Sequence, residues 1–297
     1  MEELCADFGE YLIKHKSVSE NTFDSYVRDV DFFLKYAYEN GICNPVEVDK
    51  DFINDYIEYM KSNKKSGSTV VRNIASIRSF YEFLIYTGKS DCNPAKLVKL
   101  EKQPKKFPEI LSGSEIELLL SQPDNSEVKG CRDKAMLELL YATGIRTSEL
   151  IMLDVDDIHL SAGTLSCNSS KTKRTIPVYS TAVSAVSDYI FRVRKKIITP
   201  AGGKALFINL NGKRLTRQGF WKIVKGYAKK AKIVKEITPC TLRHSFALHL
   251  LENGAELKDI QAMLGHADIS STQMYVHLLN DHFKEVYNKC HPRAKLG

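Results

Sequence analysis

Residues 241–255 read TLRHSFALHLLENGA, and residues 264–277 read LGHADISSTQMYVH. The first stretch follows Thr238-Pro239, a cap residue before a proline at the first helical position, which predicts a helix over residues 239–252. A lone arginine, histidine or tyrosine usually serves the structure of a protein. These two stretches therefore indicate a function only together with the segments that precede them.

Two earlier segments complete the pattern. Residues 142–150 read ATGIRTSEL, and their glycine ends a predicted helix over residues 131–143. Residues 164–179 read TLSCNSSKTKRTIPVY, in which two β-prone arms flank a polar, basic turn at residues 170–174. This arrangement predicts a β-hairpin that carries lysines at its turn.

In this order, the four segments resemble the catalytic domain of the tyrosine recombinases, the integrase family, and most closely its Xer branch. The resemblance covers nearly the whole chain, up to His291-Pro292-Arg293-Ala294. It implies a site-specific recombinase that cuts and rejoins DNA through a 3′-phosphotyrosyl intermediate, without a metal or ATP. In the Xer branch, this reaction resolves chromosome dimers.

Three alternatives remain beside the Xer assignment. The first is a phage or transposon integrase with the same chemistry. The second is a DNA-binding protein that kept the fold and lost catalysis. The third, a strand-passing topoisomerase, is disfavoured by the short chain and by the recombinase-like N-terminal region.

The resemblance assigns roles to individual residues. Arg146 falls on the first catalytic arginine of the family and Arg243 on the second. His266 falls on the histidine that follows Leu-Gly, and Tyr275 falls on the nucleophile.

The remaining basic residues leave alternatives open. The catalytic lysine of the family lies in the β-hairpin turn, where Lys171 is the first candidate and Lys173 the alternative. His244 is expected to support the catalytic residues rather than to take part in the reaction itself. His277 is expected to be structural.

One position departs from the family pattern. The family usually has a histidine three residues before the second arginine, and here Cys240 stands there. A thiol is a poor hydrogen-bond donor, whereas an imidazole is a good one. If that donor stabilises the transition state, its loss costs on the order of 10²–10³ in rate, by analogy with the deletion of an oxyanion-hole donor. We expect an active enzyme, attenuated at most.

The residue types suit phosphoryl transfer. Two guanidinium groups stay charged at physiological pH and offer paired N–H donors to the nonbridging oxygens of a phosphodiester. A free phenol has a pKa of about 10 and is a weak nucleophile at pH 7. We expect the arginine pair to lower the pKa of Tyr275, and His266 to accept its proton or orient the phosphate. Lys171 is the candidate general acid for the leaving 5′-oxygen.

The first hundred residues predict a small helical bundle. Apolar residues recur at three- and four-residue spacing, which is typical of amphipathic helices. Residues 101–110, EKQPKKFPEI, predict an extended linker. We expect an N-terminal DNA-binding domain (1–100), this linker, and a catalytic domain (111–297). The helical stripes are Phe23, Tyr26, Val27, Val30, Phe33, Leu34 and Ala37; Phe52, Ile53, Tyr56, Ile57 and Met60; and Val70, Ile74, Ile77, Tyr81 and Leu84.

The predicted fold class is mainly α, with a small β-hairpin or sheet in the second domain, and a two-domain clamp of the tyrosine-recombinase type. Leu111-Ser112-Gly113-Ser114-Glu115 predicts the start of the first helix of this domain. Further helices are predicted near residues 181–196, 216–231, 256–264 and 281–289.

Charge is distributed unevenly along the chain. Residues 1–100 contain 13 Lys and Arg against 16 Asp and Glu, whereas residues 101–297 contain 30 against 20. The basic excess of the second part favours a polyanionic partner, most commonly nucleic acid. No apolar run approaches a membrane span, and the N-terminus lacks the pattern of a secretory signal, so we expect a cytoplasmic protein.

The resemblance also implies an assembly. Two domains would clamp half of a double-stranded recombination site, and four protomers would exchange strands on two sites. The tetramer would be a homo-tetramer or include a second Xer recombinase. The predicted helix over residues 281–289 would dock on a neighbouring protomer.

Overall fold

The computed structural model describes residues 2–100, 108–168, 173–276 and 278–279. The chain divides into two compact units, Met1–Lys105 and Lys106–Gly297. Both are built mainly from helices, and the second contains a small antiparallel sheet, which confirms the predicted fold class. Within the described ranges, no helix is both long and apolar enough to cross a membrane.

Four helices form the first unit. They are α1 (Glu2–Lys14), α2 (Glu20–Glu39), α3 (Lys50–Ser62) and α4 (Gly67–Tyr86). The three predicted stripes become α2, α3 and α4, and α1 adds Phe8 and Leu12 to the same core. Short 3₁₀ turns lie at Pro45–Glu47 and Pro94–Lys96.

Side-chain caps explain where the helices of the first unit begin. Ser19 is the N-cap of α2, where its hydroxyl accepts a hydrogen bond from the backbone N–H of Thr22. Asp49 and Ser66 cap α3 and α4 in the same way. These caps satisfy amide groups that no carbonyl of the helix can reach.

The second unit opens with α5 (Gly113–Leu120), α6 (Val128–Thr143) and α7 (Thr147–Met152). The predicted start of α5 is confirmed, because Ser112 and Glu115 form a capping box. Helix α6 begins three residues before its predicted start and ends at Gly144, as predicted. Helix α7 was not predicted.

The predicted hairpin is present, and a short third strand extends it into a sheet. Strands β1 (Ile158–His159), β2 (Thr164–Asn168) and β3 (Lys173–Pro177) lie in the order β1-β2-β3, all antiparallel. The predicted turn is too long at its C-terminal end, because Lys173 and Arg174 already belong to β3. Residues 169–172 lie outside the described residues.

The described remainder of the second unit is mainly helical. The predicted helix 181–196 is divided into α8 (Ser180–Asp188), a π-helical segment Tyr189–Arg194 and α9 (Lys195–Ile197). The other three follow as predicted: α10 (Arg217–Lys230), α11 (Pro239–Glu252) and α12 (Leu257–Leu264). Residues 270–276 are helical as well. The predicted helix 281–289 lies outside the described residues.

Candidate active site

Arg243 lies at the centre of the candidate site. It projects from α11, which Thr238 caps by accepting a hydrogen bond from the Thr241 amide. Arg243 is 6% exposed, and its guanidinium donates to the carbonyls of Gly144 (2.6 Å) and Leu264 (2.8 Å). Burial, and then the neighbouring charge of Arg146, lower the pKa of Arg243 to about 10, so it remains a cation at neutral pH.

Arg146 approaches the same loop from another element. It is the N-cap residue of α7, and its Nη2 donates to the carbonyl of Gly265 at 3.1 Å. Since Arg243 donates to Leu264, the two guanidinium groups bind consecutive carbonyls of the chain. The Arg146 side chain is 43% exposed, so it can also reach a ligand. The structure therefore brings together the two arginines that the sequence assigned to one site.

Two glycines allow this approach. Gly144 and Gly265 have φ values of +58° and +63°, in the left-handed region that disfavours other residues. A Cβ atom at Gly144 would overlap the ring of Phe246, and one at Gly265 would lie 2.7 Å from Nη1 of Arg174. Glycine is thus required at both positions by backbone conformation and by space.

His266 follows Gly265 and contacts Arg243. Its Nε2 lies 2.9 Å from Nη2 of Arg243, and its Nδ1 lies 2.9 Å from the hydroxyl of Thr272. A guanidinium has no acceptor, so Nε2 must accept and Nδ1 must carry the proton that it donates to Thr272. Burial, followed by the charges of Arg243 and Arg146, lowers the pKa of His266 to about 4. His266 is therefore neutral at pH 7.

Tyr275 lies in the helical segment 270–276 and is fully buried, with 0% exposure. It packs with Phe246, Ala247, Ile260 and Leu264. A phosphate cannot touch its hydroxyl in this conformation. Burial raises its pKa, and the charge of Arg243 offsets this only in part. The expectation of a lowered pKa is therefore wrong for this conformation.

His244 contacts the phenol directly. Its Nδ1 lies 2.9 Å from the hydroxyl of Tyr275. The expected supporting role did not include this direct contact with the proposed nucleophile. Burial and the adjacent Arg243 lower the pKa of His244 to about 4, so it is neutral and can accept the phenolic proton. In this conformation, His244 contacts the phenol, whereas Nε2 of His266 is occupied by Arg243. The signal in the sequence was the triplet Leu242-Arg243-His244, which places His244 next to Arg243 on the same helix turn.

Glu149 and Arg174 are further site residues that the sequence reasoning missed. Glu149 accepts two hydrogen bonds from Arg174, at 3.1 and 2.9 Å, and one from the backbone N–H of Arg146. Burial alone would raise the pKa of Glu149, but these hydrogen bonds and the two cations lower it overall. The alternation along β3 could have shown Arg174, because it lies on the same inward face as Ile176.

The remaining predicted residues lie at the edge of the site or beyond the described ranges. Cys240 is in the first turn of α11, with an exposed, free thiol. Lys173 is the exposed first residue of β3 and lies opposite Asn168 of β2 in the strand register. Lys171 and His277 lie outside the described residues, so the choice between the two lysines stays a prediction.

The side chains of the site favour an anion over a metal cation. The site contains three guanidinium groups, two neutral imidazoles and one carboxylate, and that carboxylate is already paired. In the part of the chain that the structure describes, no cluster of three or more His, Cys, Asp or Glu side chains could hold a metal ion. Two guanidinium groups can bind a phosphodiester, and a phenol that reaches the same phosphate can attack it.

Comparison with known proteins agrees with this geometry. Residues 109–282 match the phage integrase family, and residues 5–88 match its N-terminal SAM-like domain. Tyrosine recombinase XerD from Listeria monocytogenes is 42% identical over 297 residues, which cover 99% of this chain and 100% of the relative. XerD from Oceanobacillus iheyensis is 43% identical over the same shares.

Solved structures show the same fold. A XerH recombinase bound to palindromic difH has a TM-score of 0.75 at 19% identity, covering 90% of this chain and 79% of that one. A lambda integrase fragment bound to a core site has a TM-score of 0.72 at 17% identity, covering 93% and 94%. The XerA recombinase has a TM-score of 0.55 at 27% identity, covering 98% and 99%. The chain therefore belongs to the phage integrase family, among its Xer-type tyrosine recombinases.

Proposed function

We propose that this chain cuts and rejoins DNA at a specific site by forming a covalent bond between Tyr275 and a 3′-phosphate. One observation carries the proposal: Arg146 and Arg243 bind the consecutive carbonyls of Gly265 and Leu264, in the same unit as Tyr275. The relatives named XerD, similar over their full length, support the same reaction.

The two arginines would bind the scissile phosphate. Arg146 is the more exposed of the two, and Arg243 is held by two carbonyls and His266. A rigid, preorganised cation stabilises charge that develops on the nonbridging oxygens without reorganising during the reaction. The protein supplies this positive charge itself, so the proposed reaction needs no metal.

The nucleophile has to move before it reacts. Tyr275 is fully buried and contacts His244, so the helical segment 270–276 must shift for the phenol to meet a phosphate. A base next to the phenol, His244 in the present conformation, would take the proton as the oxygen attacks phosphorus. The bond from phosphorus to the 5′-oxygen then breaks as the bond to the phenol oxygen forms.

The leaving 5′-oxygen requires a proton, which we assign to Lys171, with Lys173 as the alternative. The phosphotyrosyl ester conserves the energy of the broken phosphodiester. A second 5′-hydroxyl can therefore attack it, regenerate the phenol and reseal the strand, and no ATP is required.

Domain roles and assembly form the wider part of the proposal. Residues 1–100 would bind DNA as an N-terminal domain, joined by the linker 101–110 to a catalytic domain over residues 111–297. Four protomers, with or without a second Xer recombinase, would act on two double-stranded sites. Resolution of chromosome dimers in the cytoplasm is the role we favour, because the similar relatives carry the XerD name. An integrase role and a catalytically impaired DNA-binding role, through Cys240, are the alternatives.

Trapping the covalent intermediate tests the reaction. A binding site is first selected from a random-sequence duplex library, and duplexes with nicks at successive positions are made from it. A nick beside the scissile phosphate lets the short 5′-hydroxyl fragment diffuse away, so the adduct persists. We expect a detergent-resistant protein–DNA adduct that forms in EDTA and without ATP.

Variants separate binding from chemistry. Tyr275→Phe should bind the duplex with wild-type affinity and form no adduct. A wild-type protein that shifts the duplex but forms no adduct with any nick position would support the binding-only alternative.

A further inference from the structure

Arg174 and Glu149 form a buried ion pair next to Arg146. Their side chains are each 8% exposed, and two N–H groups of Arg174 contact the two carboxylate oxygens. Arg146 contacts the same carboxylate through one guanidinium N–H at 3.3 Å, and its own side chain is 43% exposed. The carboxylate is therefore held mainly by Arg174, and Arg146 lies on its exposed side.

Arg174 also connects separate parts of the second unit. It is the second residue of β3, whereas Glu149 lies on α7. Its Nε donates to the carbonyl of Met263 at 2.7 Å, and its guanidinium packs against Gly265. One side chain thus joins the hairpin, α7 and the loop that carries His266.

The charges around Glu149 show what this arrangement does. Within the described part of the chain, Glu149 is the one carboxylate hydrogen-bonded to Arg146, Arg174 or Arg243. With Arg174 present, one cation neutralises the carboxylate and two cations remain. Without Arg174, Glu149 would draw on Arg146 for its partner, and a single uncompensated cation would remain for a phosphate.

We propose that Arg174 is a positioning residue for DNA cleavage, which neutralises Glu149 and so leaves the charge of Arg146 available to the scissile phosphate. The inference rests on the proposed function, because it concerns the rate of that cleavage. Arg174 touches neither the proposed nucleophile nor the phosphate in this account; it acts through Glu149 and Arg146.

The test compares single-turnover cleavage of the nicked duplex at saturating protein. Arg174→Gln should slow cleavage by about 10- to 100-fold, less than the roughly 10²–10³-fold cost of losing a donor that contacts the transition state directly, because Arg174 acts through Glu149 and Arg146. DNA affinity should change much less than the rate. Arg174→Lys, which keeps the charge without the paired donors, should lie between Arg174→Gln and the wild type.

A double variant provides the readout that a merely structural role would not give. In Arg174→Gln/Glu149→Gln, the carboxylate is gone, so the charge of Arg146 is no longer compensated and cleavage should recover about tenfold relative to Arg174→Gln. If Arg174 only supported the fold, removing the negative charge of Glu149 would not restore the rate. Arg194→Gln is the matched control, because Arg194 bonds the carbonyls of Ala205 and Gly203, and it should cleave as the wild type does.

The outcomes separate this inference from the proposed function. A wild-type protein that forms no adduct at any nick position would overturn the proposed function. A wild-type protein that cleaves, with a double variant no faster than Arg174→Gln, would overturn the role of Arg174. If Arg174→Gln does not fold, Arg174→Lys carries the comparison, and an Arg174→Lys protein that cleaves at the wild-type rate would likewise overturn it.

Discussion

The hydroxyl of Tyr275 lies 2.9 Å from Nδ1 of His244, the residue that follows Arg243 on α11. The contact thus joins the proposed nucleophile to the residue next to Arg243, a proposed phosphate ligand. In the same conformation the phenol is fully buried, so no phosphate can touch it. Arg146 is therefore accessible to a ligand, whereas the proposed nucleophile is buried in the apolar cluster that contains Phe246 and Leu264.

The two partly buried histidines, His244 and His266, should make stability depend on pH. Their pKa is lowered from 6.5 to about 4, so between these pH values the unfolded chain binds protons that the folded protein does not bind. Stability is greatest well above pH 6.5 and falls as the pH drops towards 4, by at most about 1.4 kcal/mol per pH unit for His244 and by less for the more exposed His266. His244→Gln should reduce this slope in melting curves recorded from pH 7 to pH 4.5. An unaltered slope in His244→Gln would contradict the prediction.

Gly144 should tolerate no side chain. A left-handed alanine costs roughly 1–2 kcal/mol, and overlap with Phe246 adds about 1–3 kcal/mol for overpacking. Gly144→Ala should therefore lower the melting temperature clearly more than Gly254→Ala. Gly254 also has a positive φ, +89°, but no atom lies within 4 Å of an added Cβ. Equal melting temperatures for the two variants would show that the contact with Phe246 is unimportant.

The hairpin lysines should differ in their effect on cleavage. Lys171→Ala should slow cleavage by about 10²–10⁴-fold, the usual contribution of a general acid, and Lys173→Ala should have little effect. A duplex with sulfur in place of the 5′-bridging oxygen should restore the rate of Lys171→Ala, because a thiolate leaves without protonation. If Lys173→Ala alone is slow and rescued by sulfur, the assignment moves to Lys173.

Cys240 should prove dispensable. Its thiol is exposed in the first turn of α11, one helical turn before Arg243. Because an imidazole is the better donor, Cys240→His should leave cleavage unchanged or faster, and Cys240→Ala should cleave at about the wild-type rate. Rates are measured with the nicked duplex. A sharp loss in both variants would give the thiol a role of its own.

Sequence patterns predicted the elements that long, periodic stretches determine. Helices α2, α3, α4, α10, α11 and α12 follow from apolar periodicity, caps and terminal glycines, and the hairpin arms follow from β-prone residues. Helix α7 escaped prediction because its six residues are too short for a helical period. The π-helical segment escaped because its deviation depends on packing rather than on local propensity.

The site was predictable as a set of residues but not as a set of contacts. The motifs single out Arg146, Arg243, His266 and Tyr275 as candidates, and the structure places all four in one unit; their catalytic roles stay predictions. Two contacts could not be predicted: that of His244 with the phenol, and the ion pair of Glu149 with Arg174. Both depend on which side chains the fold brings together from distant parts of the chain. The direction of the Tyr275 pKa depends on burial, which the motif does not encode.

The most direct test of the claim that two arginines and one phenol act on a single phosphate is to identify the residue joined to DNA. The trapped adduct is digested with protease and nuclease, and the nucleotide-bearing peptide is sequenced by mass spectrometry. We predict a 3′-phosphate ester on Tyr275, with adduct yield reduced on the order of 10²–10³-fold in Arg146→Lys and Arg243→Lys. DNA joined to any other residue, or full yield from both arginine variants, would contradict the account.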